Sequence, residues 1–277
     1  MAQTLEKTRA IKIGNLDEDR EVYQVALPLN EQIEAFKEAG VQFPYLVTPE
    51  QVAEIRLQGL SEDFSRTSIM PVSIKGANTI LVKDPPSVTS LLAKLAVNAH
   101  RNGKYPTFSK DFYEIAEAEA KRQDSLEPED RTAIIVSQIG DHSWNSGNPE
   151  AKFSLGRFTK RYFDNKKFVP SGEIPYFDLT GESKSETTFN YLWFGGPQDG
   201  SGLSARCGGL NNRGRAFGVR SISAQAGAQN FKYSLTEIAK ANSEVILSVL
   251  AEANLGGIIN IVARPLKQGL LARLRNG

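Results

Sequence analysis

Cysteine and histidine are almost absent from this 277-residue sequence: Cys207 is the single cysteine, and His100 and His142 are the two histidines. One cysteine cannot build a disulfide framework, which excludes the stapled secreted scaffolds and fits a reducing compartment. A zinc site needs several Cys, His or carboxylate ligands at characteristic spacing. These three residues are too few and too far apart, so no metal is expected through them. Long apolar runs are missing as well. The longest, around residues 134–136 and 257–263, fall far short of the roughly 20 residues that span a bilayer, and no membrane partner is expected. The run Met1–Lys7 has neither a basic nor an apolar region, so no secretory leader is expected. No lipidation signal occurs. A cytoplasmic location is the resulting expectation.

The common catalytic signatures are also lacking. There is no GxxxxGK[ST] phosphate loop and no GxSxG nucleophile elbow. Arg206 stands beside Cys207, and a neighbouring cation lowers a thiol pKa. With His142 as base, a cysteine nucleophile would be chemically conceivable. The plainer alternative is an inert small residue. Glu182-Ser183-Lys184, preceded by Asp164 or Asp178, has the order used by magnesium-dependent nucleases. There two carboxylates hold the metal and a lysine steadies the attacking water. Its surroundings, residues 179–185, read as a solvated turn instead of a strand. His100 falls at the end of an apolar helix, where a cation suits the helix dipole. No cofactor is expected, and the balance leans away from an enzyme.

What the sequence does contain is an ordinary globular composition, 40% hydrophobic and 23% charged, with an uneven charge distribution. Residues 1–150 hold 16 Lys and Arg against 23 Asp and Glu, a net −7; residues 151–277 hold 17 against 9, a net +8. Such asymmetry points to a nucleic-acid surface or to head-to-tail self-association. The alternative is that the two halves face each other or solvent. The organisation expected is an acidic α+β region over 1–140 and a basic, aromatic- and glycine-rich α+β region over 150–277, or a single domain spanning both.

Periodicity predicts strands at 8–14 and 21–27 with a turn at 15–19, and a helix capped by Asn30 and stopped at Gly40. Thr48-Pro49-Glu50-Gln51 is a capping box that opens a helix ending at Gly59. Strands at 67–74 and 79–83 flank the hairpin loop 75–78, with Pro71 placing the first at a sheet edge. A helix follows Ser87, with Val88, Leu91, Leu92, Leu95, Ala96 and Ala99 on one face. Another runs from Ser109 to about Gln123, with Phe112, Ile115 and Ala116 inward. Residues 132–137 read as a buried strand, 140–149 as a turn-rich boundary and 187–194 as a strand. Ser234 opens an apolar helix reaching Gly256, with Ile238, Val245, Ile246 and Val249 inward. A strand at 258–263 and a basic terminal helix at 266–274 follow. The fold class is therefore α+β, with a mixed or antiparallel sheet, about six helices and a glycine-rich loop region in the C-terminal half.

Two basic clusters carry the functional reading. Residues 152–168 contain six cations and five aromatic rings. Cations neutralise phosphates and rings stack on unpaired bases. On a helix starting near Pro149, Leu155, Phe158 and Tyr162 share a face. The alternative is that the rings are core and the cations are solvated. The second cluster, Arg206, Arg213, Arg215 and Arg220, lies in or beside residues 195–218, which hold eight glycines. Arginine with glycine suits a loop laid along a phosphate backbone, or a polar hairpin whose arginines pair the acidic half. Gly200-Ser201-Gly202 followed by Gly208-Gly209 is similar to glycine loops of CRISPR ribonucleoprotein subunits with RRM-like folds, where glycine lets the backbone approach RNA. The similarity covers nine residues and assigns no family. A third basic cluster is Arg264, Lys267, Arg273 and Arg275.

The leading expectation is a non-enzymatic nucleic-acid-binding component of a nucleoprotein assembly, contacting DNA or RNA through Lys160, Arg161, Tyr162, Lys166, Lys167, Arg206, Arg213, Arg215 and Arg220. The alternatives are a self-assembling structural subunit, such as a phage-like particle protein that forms homo-oligomers, and a magnesium-dependent nuclease.

Overall fold

The computed structural model describes residues 9–42, 45–83, 107–108, 110–182, 187–196, 202–206 and 213–222. Strands β1 (Ile11–Asn15) and β2 (Arg20–Leu27) pair antiparallel as their alternation predicts. The Asp17 carboxylate closes their turn by accepting from the Asp19 amide at 3.0 Å. Helix α1 (Leu29–Glu38) starts earlier than its expected Asn30 cap: Pro28 occupies the N-cap position, with no side-chain cap. The first helical bond runs from the Gln32 amide to the Pro28 carbonyl at 2.8 Å. Helix α2 (Pro49–Leu57) carries the expected capping box, with Thr48 and Gln51 bonding each other's backbone amides at 3.1 and 2.9 Å. Gly59, at φ 73°, turns the chain away after it.

The remaining elements are β3 (Ser65–Arg66), β4 (Ile69–Ser73), β5 (Ile80–Lys83), β6 (Thr107–Phe108), α3 (Lys110–Arg122), β7 (Ala133–Ile135), β8 (His142–Trp144), α4 (Pro149–Leu155), α5 (Thr159–Phe163), β9 (Ile174–Phe177), β10 (Thr187–Phe189), β11 (Trp193–Phe194), β12 (Leu203–Ser204) and β13 (Gly214–Ser221). They form an eight-stranded sheet in the order β1-β2-β13-β3-β11-β12-β9-β8 and a five-stranded sheet in the order β6-β10-β4-β5-β7. Most pairs are antiparallel, while β12–β9 and β13–β3 are parallel. The α+β class and the mixed sheet hold. Fewer than the expected six helices occur among the described residues. The helices expected after Ser87 and Ser234, the strand at 258–263 and the terminal helix at 266–274 lie outside them.

Four expectations are corrected. Pro71 is not on an edge, because β4 lies between β10 and β5. Its carbonyl accepts from the Asn190 amide at 3.2 Å, so its missing N–H faces the β10 side just beyond the two registered pairs, Thr188–Ser73 and Phe189–Val72, and the loss to the ladder is small. The 140–149 turn region contains strand β8, which pairs with β9. The single strand expected at 187–194 is two strands in different sheets, β10 and β11, joined where the chain crosses between them. The basic aromatic segment is not one helix: Gly156, at φ 50°, separates α4 from a 3₁₀ turn and α5.

The burial follows from the sheet order. On one face of the large sheet, Val22, Phe194 and Phe217 pack with Val52 and Ile55 of α2, Phe153 of α4 and Tyr162 of α5. On the other, Val25 and Ala216 pack with Ile33 and Phe36 of α1 and reach Met70, Val72 and Phe189 of the second sheet. Ala116 of α3 is buried as expected, with Tyr113 and Ala120 beside it. Neighbouring residues of β13, Ala216 and Phe217, thus enter different cores, because side chains alternate along a strand. β13 pairs with β2 over its eight residues, so the basic C-terminal part and the acidic N-terminal part share one sheet.

Candidate recognition surface

The most constrained point of the large sheet is the dipeptide Trp193-Phe194 in β11. Its rings point to opposite faces, and each is covered by a buried arginine. The Arg56 guanidinium sits 4.3 Å from the Phe194 ring centroid, and that of Arg66 sits 4.8 Å from Trp193. Arg56 donates to the Tyr162 hydroxyl at 2.8 Å and to the carbonyls of Asp63 and Phe194 at 3.0 and 3.1 Å. Arg66 donates to Gln32 at 2.9 Å, and Gln32 in turn donates to the Gly214 carbonyl. Burial lowers the Arg66 pKa to about 10. These guanidiniums tie α1, α2, α5, β3, β11 and β13 together through neutral acceptors and ring faces, which is how a buried cation is tolerated.

Beside this frame two rings are exposed. Phe64 immediately precedes β3 and is 38% exposed; Phe177 ends β9 and is 39% exposed. Cross-strand partners Arg66, Trp193, Ser204 and Phe177 form one row on one face of the sheet. Phe64 is two residues before Arg66, on the same face, with its ring 5.7 Å from Trp193. From β3 to β9 is three strand spacings, about 14 Å. Each exposed ring has the same company. Arg215 lies 5.6 Å from the Phe64 centroid and pairs with Asp63. Arg206 lies 5.8 Å from the Phe177 centroid and pairs with Asp141. Asp63 also accepts from Gln24 at 2.8 Å, and Asp141 accepts from the Asp178 amide at 2.9 Å. Between the two sets the chain has glycine: the Gly195 amide donates to the Gly202 carbonyl at 2.7 Å, and a side chain at Gly202 would press on the Phe177 ring.

The nine residues expected to contact nucleic acid do not gather on one face. Lys160, Arg161, Lys166 and Lys167 are exposed on α5 and the turn after it. Lys160 pairs with Asp164 at 2.6 Å, which raises its pKa, and Lys167 pairs with Glu62. Tyr162 is fully buried and its ring is stacked on Phe168 at 5.4 Å, which corrects the expectation of a ring open to a base. Arg215 and Arg220 are five residues apart on β13 and therefore project from opposite faces. Arg220 pairs with Glu21 and donates to the Ala39 carbonyl at 3.0 Å. Lys12 first, and then Arg220, hold the Glu21 carboxyl below its usual range. Arg213 is exposed just before β13. Arginines 206, 215 and 220 thus pair acids of the N-terminal part, the polar-hairpin alternative raised by the sequence. The residues missed at the sequence level are Asp63, Phe64, Asp141 and Phe177. Asp63 and Phe64 are adjacent in sequence, but Asp141 and Phe177 are 36 positions apart, so their association has meaning only once cross-strand neighbours are known.

Of the nuclease constellation, the two candidate aspartates are the side chains the structure describes. Asp178 is buried, and its carboxylate accepts from the Thr79 and Thr180 hydroxyls, from the Leu179 amide at 2.7 Å and from the Gly140 amide at 2.8 Å. Those donors occupy the oxygens a metal would need. Asp164 is exposed and engaged with Lys160, and Ser183 and Lys184 lie outside the described residues. His142 accepts from the Trp144 indole through Nε2 at 2.9 Å, while Nδ1 faces the Gly140 carbonyl at 2.8 Å, so both ring nitrogens are engaged within the protein. His100, Cys207 and the basic cluster at 264–275 lie outside the described residues.

No family model matches the sequence, and no curated protein matches it. One solved structure does match, a Nanoarchaeota protein described under the words "Accommodation of massive sequence variation in Nanoarchaeota by the C-type lectin fold". The likeness covers 74% of this chain and 100% of that one, at 14% identity and a TM-score of 0.54. The fold is C-type lectin-like. At that identity the likeness carries the architecture alone.

Proposed function

We propose that this protein is a non-catalytic recognition module that binds a protein partner through the face carrying Phe64 and Phe177. The observation that carries the reading is the repeated set of exposed ring, arginine and aspartate on either side of the buried Trp193. Aromatic residues and arginine are the residue types enriched in protein interfaces. Pairing with aspartate leaves each arginine electrically balanced, which suits a protein surface better than a polyanion. Rigid anchoring by Arg56 and Arg66 keeps the ordering cost of binding small. The fold is compatible with the same reading, since in the Nanoarchaeota protein it accommodates massive sequence variation.

The test compares partners isolated from the native host with wild type, with a Phe64→Ser/Phe177→Ser double variant and with Leu126→Ser, a control at an exposed position elsewhere. The wild type and the control should retain a stoichiometric protein partner that the double variant loses. Retention by a folded double variant contradicts the proposal.

A further inference from the structure

We infer that the outer side of α5 and the turn after it form a second contact surface, one that takes the phosphate backbone of a nucleic acid without reading its bases. The inference is independent of the Phe64–Phe177 face. Thr159, Tyr162 and Phe163 turn inward and are buried, which leaves Lys160, Arg161 and Asp164 on the solvent side. Lys166 and Lys167 continue that side through the turn, where the Phe168 and Val169 amides bond the Asn165 carbonyl. Arg157 joins from the preceding turn, 68% exposed, with its nearest carboxylate oxygens at 3.5 and 3.7 Å on Glu50 and Glu54. Among the described residues no carboxylate pairs with Arg161 or Lys166, whereas Lys160 and Lys167 each have one acid.

The chemistry of the partner follows from what the patch includes and omits. It presents clustered cations, which attract phosphates. It presents no open ring for stacking, since Tyr162, Phe163 and Phe168 are buried and Phe158 is half-buried, so it has no means of gripping unpaired bases. Binding should therefore be indifferent to sequence. None of the large exposed hydrophobic side chains lies within it, whereas helices that lie on membranes add an apolar face to their basic one. A phosphate polyanion in water is the matching occupant.

The probe is a labelled mixed-sequence DNA duplex, titrated at several salt concentrations, with phosphatidylserine vesicles as the competing source of anionic phosphate. Wild type should bind the duplex at low salt with a log–log slope of about −2 to −4, at about 0.9 per phosphate contacted. Arg161→Gln/Lys166→Gln should weaken binding and flatten the slope by about 1.8. Asp164→Asn, which frees Lys160, should tighten binding and steepen the slope by about 0.9. Phe158→Ala and the distant Lys75→Gln should leave both unchanged. Failure of wild type to bind the duplex, an unchanged slope in the folded double variant, or binding to vesicles in preference to duplex would each overturn the inference. Wild-type salt dependence is informative by itself should a variant misfold. Loss of this binding leaves the protein-partner test above unaffected, so the two outcomes remain distinct.

Discussion

At the scale of single residues, the molecule is organised by polar groups placed where hydrophobic ones would be expected. Arg56 is buried among apolar neighbours and spends its hydrogen bonds on a phenol and two carbonyls. Its position four residues after Val52 and one after Ile55 already set it near the apolar face of α2, yet a lone arginine at such a place reads equally as a snorkelling side chain. Only the three-dimensional neighbours distinguish the two. Tyr113 gives a residue-scale prediction. Its hydroxyl donates to the Asn78 carbonyl at 2.7 Å, and burial, with Glu117 adding to it, pushes its pKa up to about 12. The folded state therefore keeps a proton that the unfolded chain releases near pH 10. The stability this contributes is fully present below that pH and is lost as pH rises from about 10 towards 12. Urea midpoints measured across that window should fall less steeply for Tyr113→Phe than for wild type. Parallel curves would show that Tyr113 is not protected from ionisation.

At the scale of elements, the sequence was informative wherever a local rule governs. The Thr48 capping box, the 75–78 hairpin and the β1–β2 pair are set by residues that touch within a short stretch, and each is found where its residues predict. The strand at 187–194 and the helix from 149 were misread because their endings are set from outside. β10 and β11 separate because Thr188 pairs with Ser73 while Trp193 pairs with Arg66 in another sheet. α4 stops at Gly156, whose backbone passes the Glu50 carboxylate of α2 closely enough that a side chain would collide with it. The same logic gives a test at β13. A methyl group added at Gly214 would overlap the six-membered ring of Trp193, and the ring cannot retreat because Phe64 and Arg66 hold it. Gly214→Ala should cost about 1–3 kcal/mol through overpacking, read as a lower denaturant midpoint. An unchanged midpoint would mean that Trp193 is free to move.

At the scale of the whole molecule, the opposing charges of the two chain halves meet in part within the protein. Glu21–Arg220, Asp63–Arg215, Asp141–Arg206 and Glu62–Lys167 each join an acid of the N-terminal part to a base of the C-terminal part. The asymmetry was visible in composition, but its resolution was not, because the long-range antiparallel pairing that brings residues 20–27 beside 214–221 has no local signature. The candidate face was illegible for the same reason: Phe64 and Phe177 are 113 positions apart in the sequence and share a sheet face only after β11 and β12 are inserted between their strands. The central claim is that this face meets another protein. A photoreactive phenylalanine analogue placed at position 64 or at 177, in the native host, tests it most directly. The account predicts one discrete protein adduct common to both positions, lost when Arg215 or Arg206 is replaced by alanine. Adducts to nucleic acid alone, or none from either position while a probe at the exposed Arg161 reacts, would contradict it.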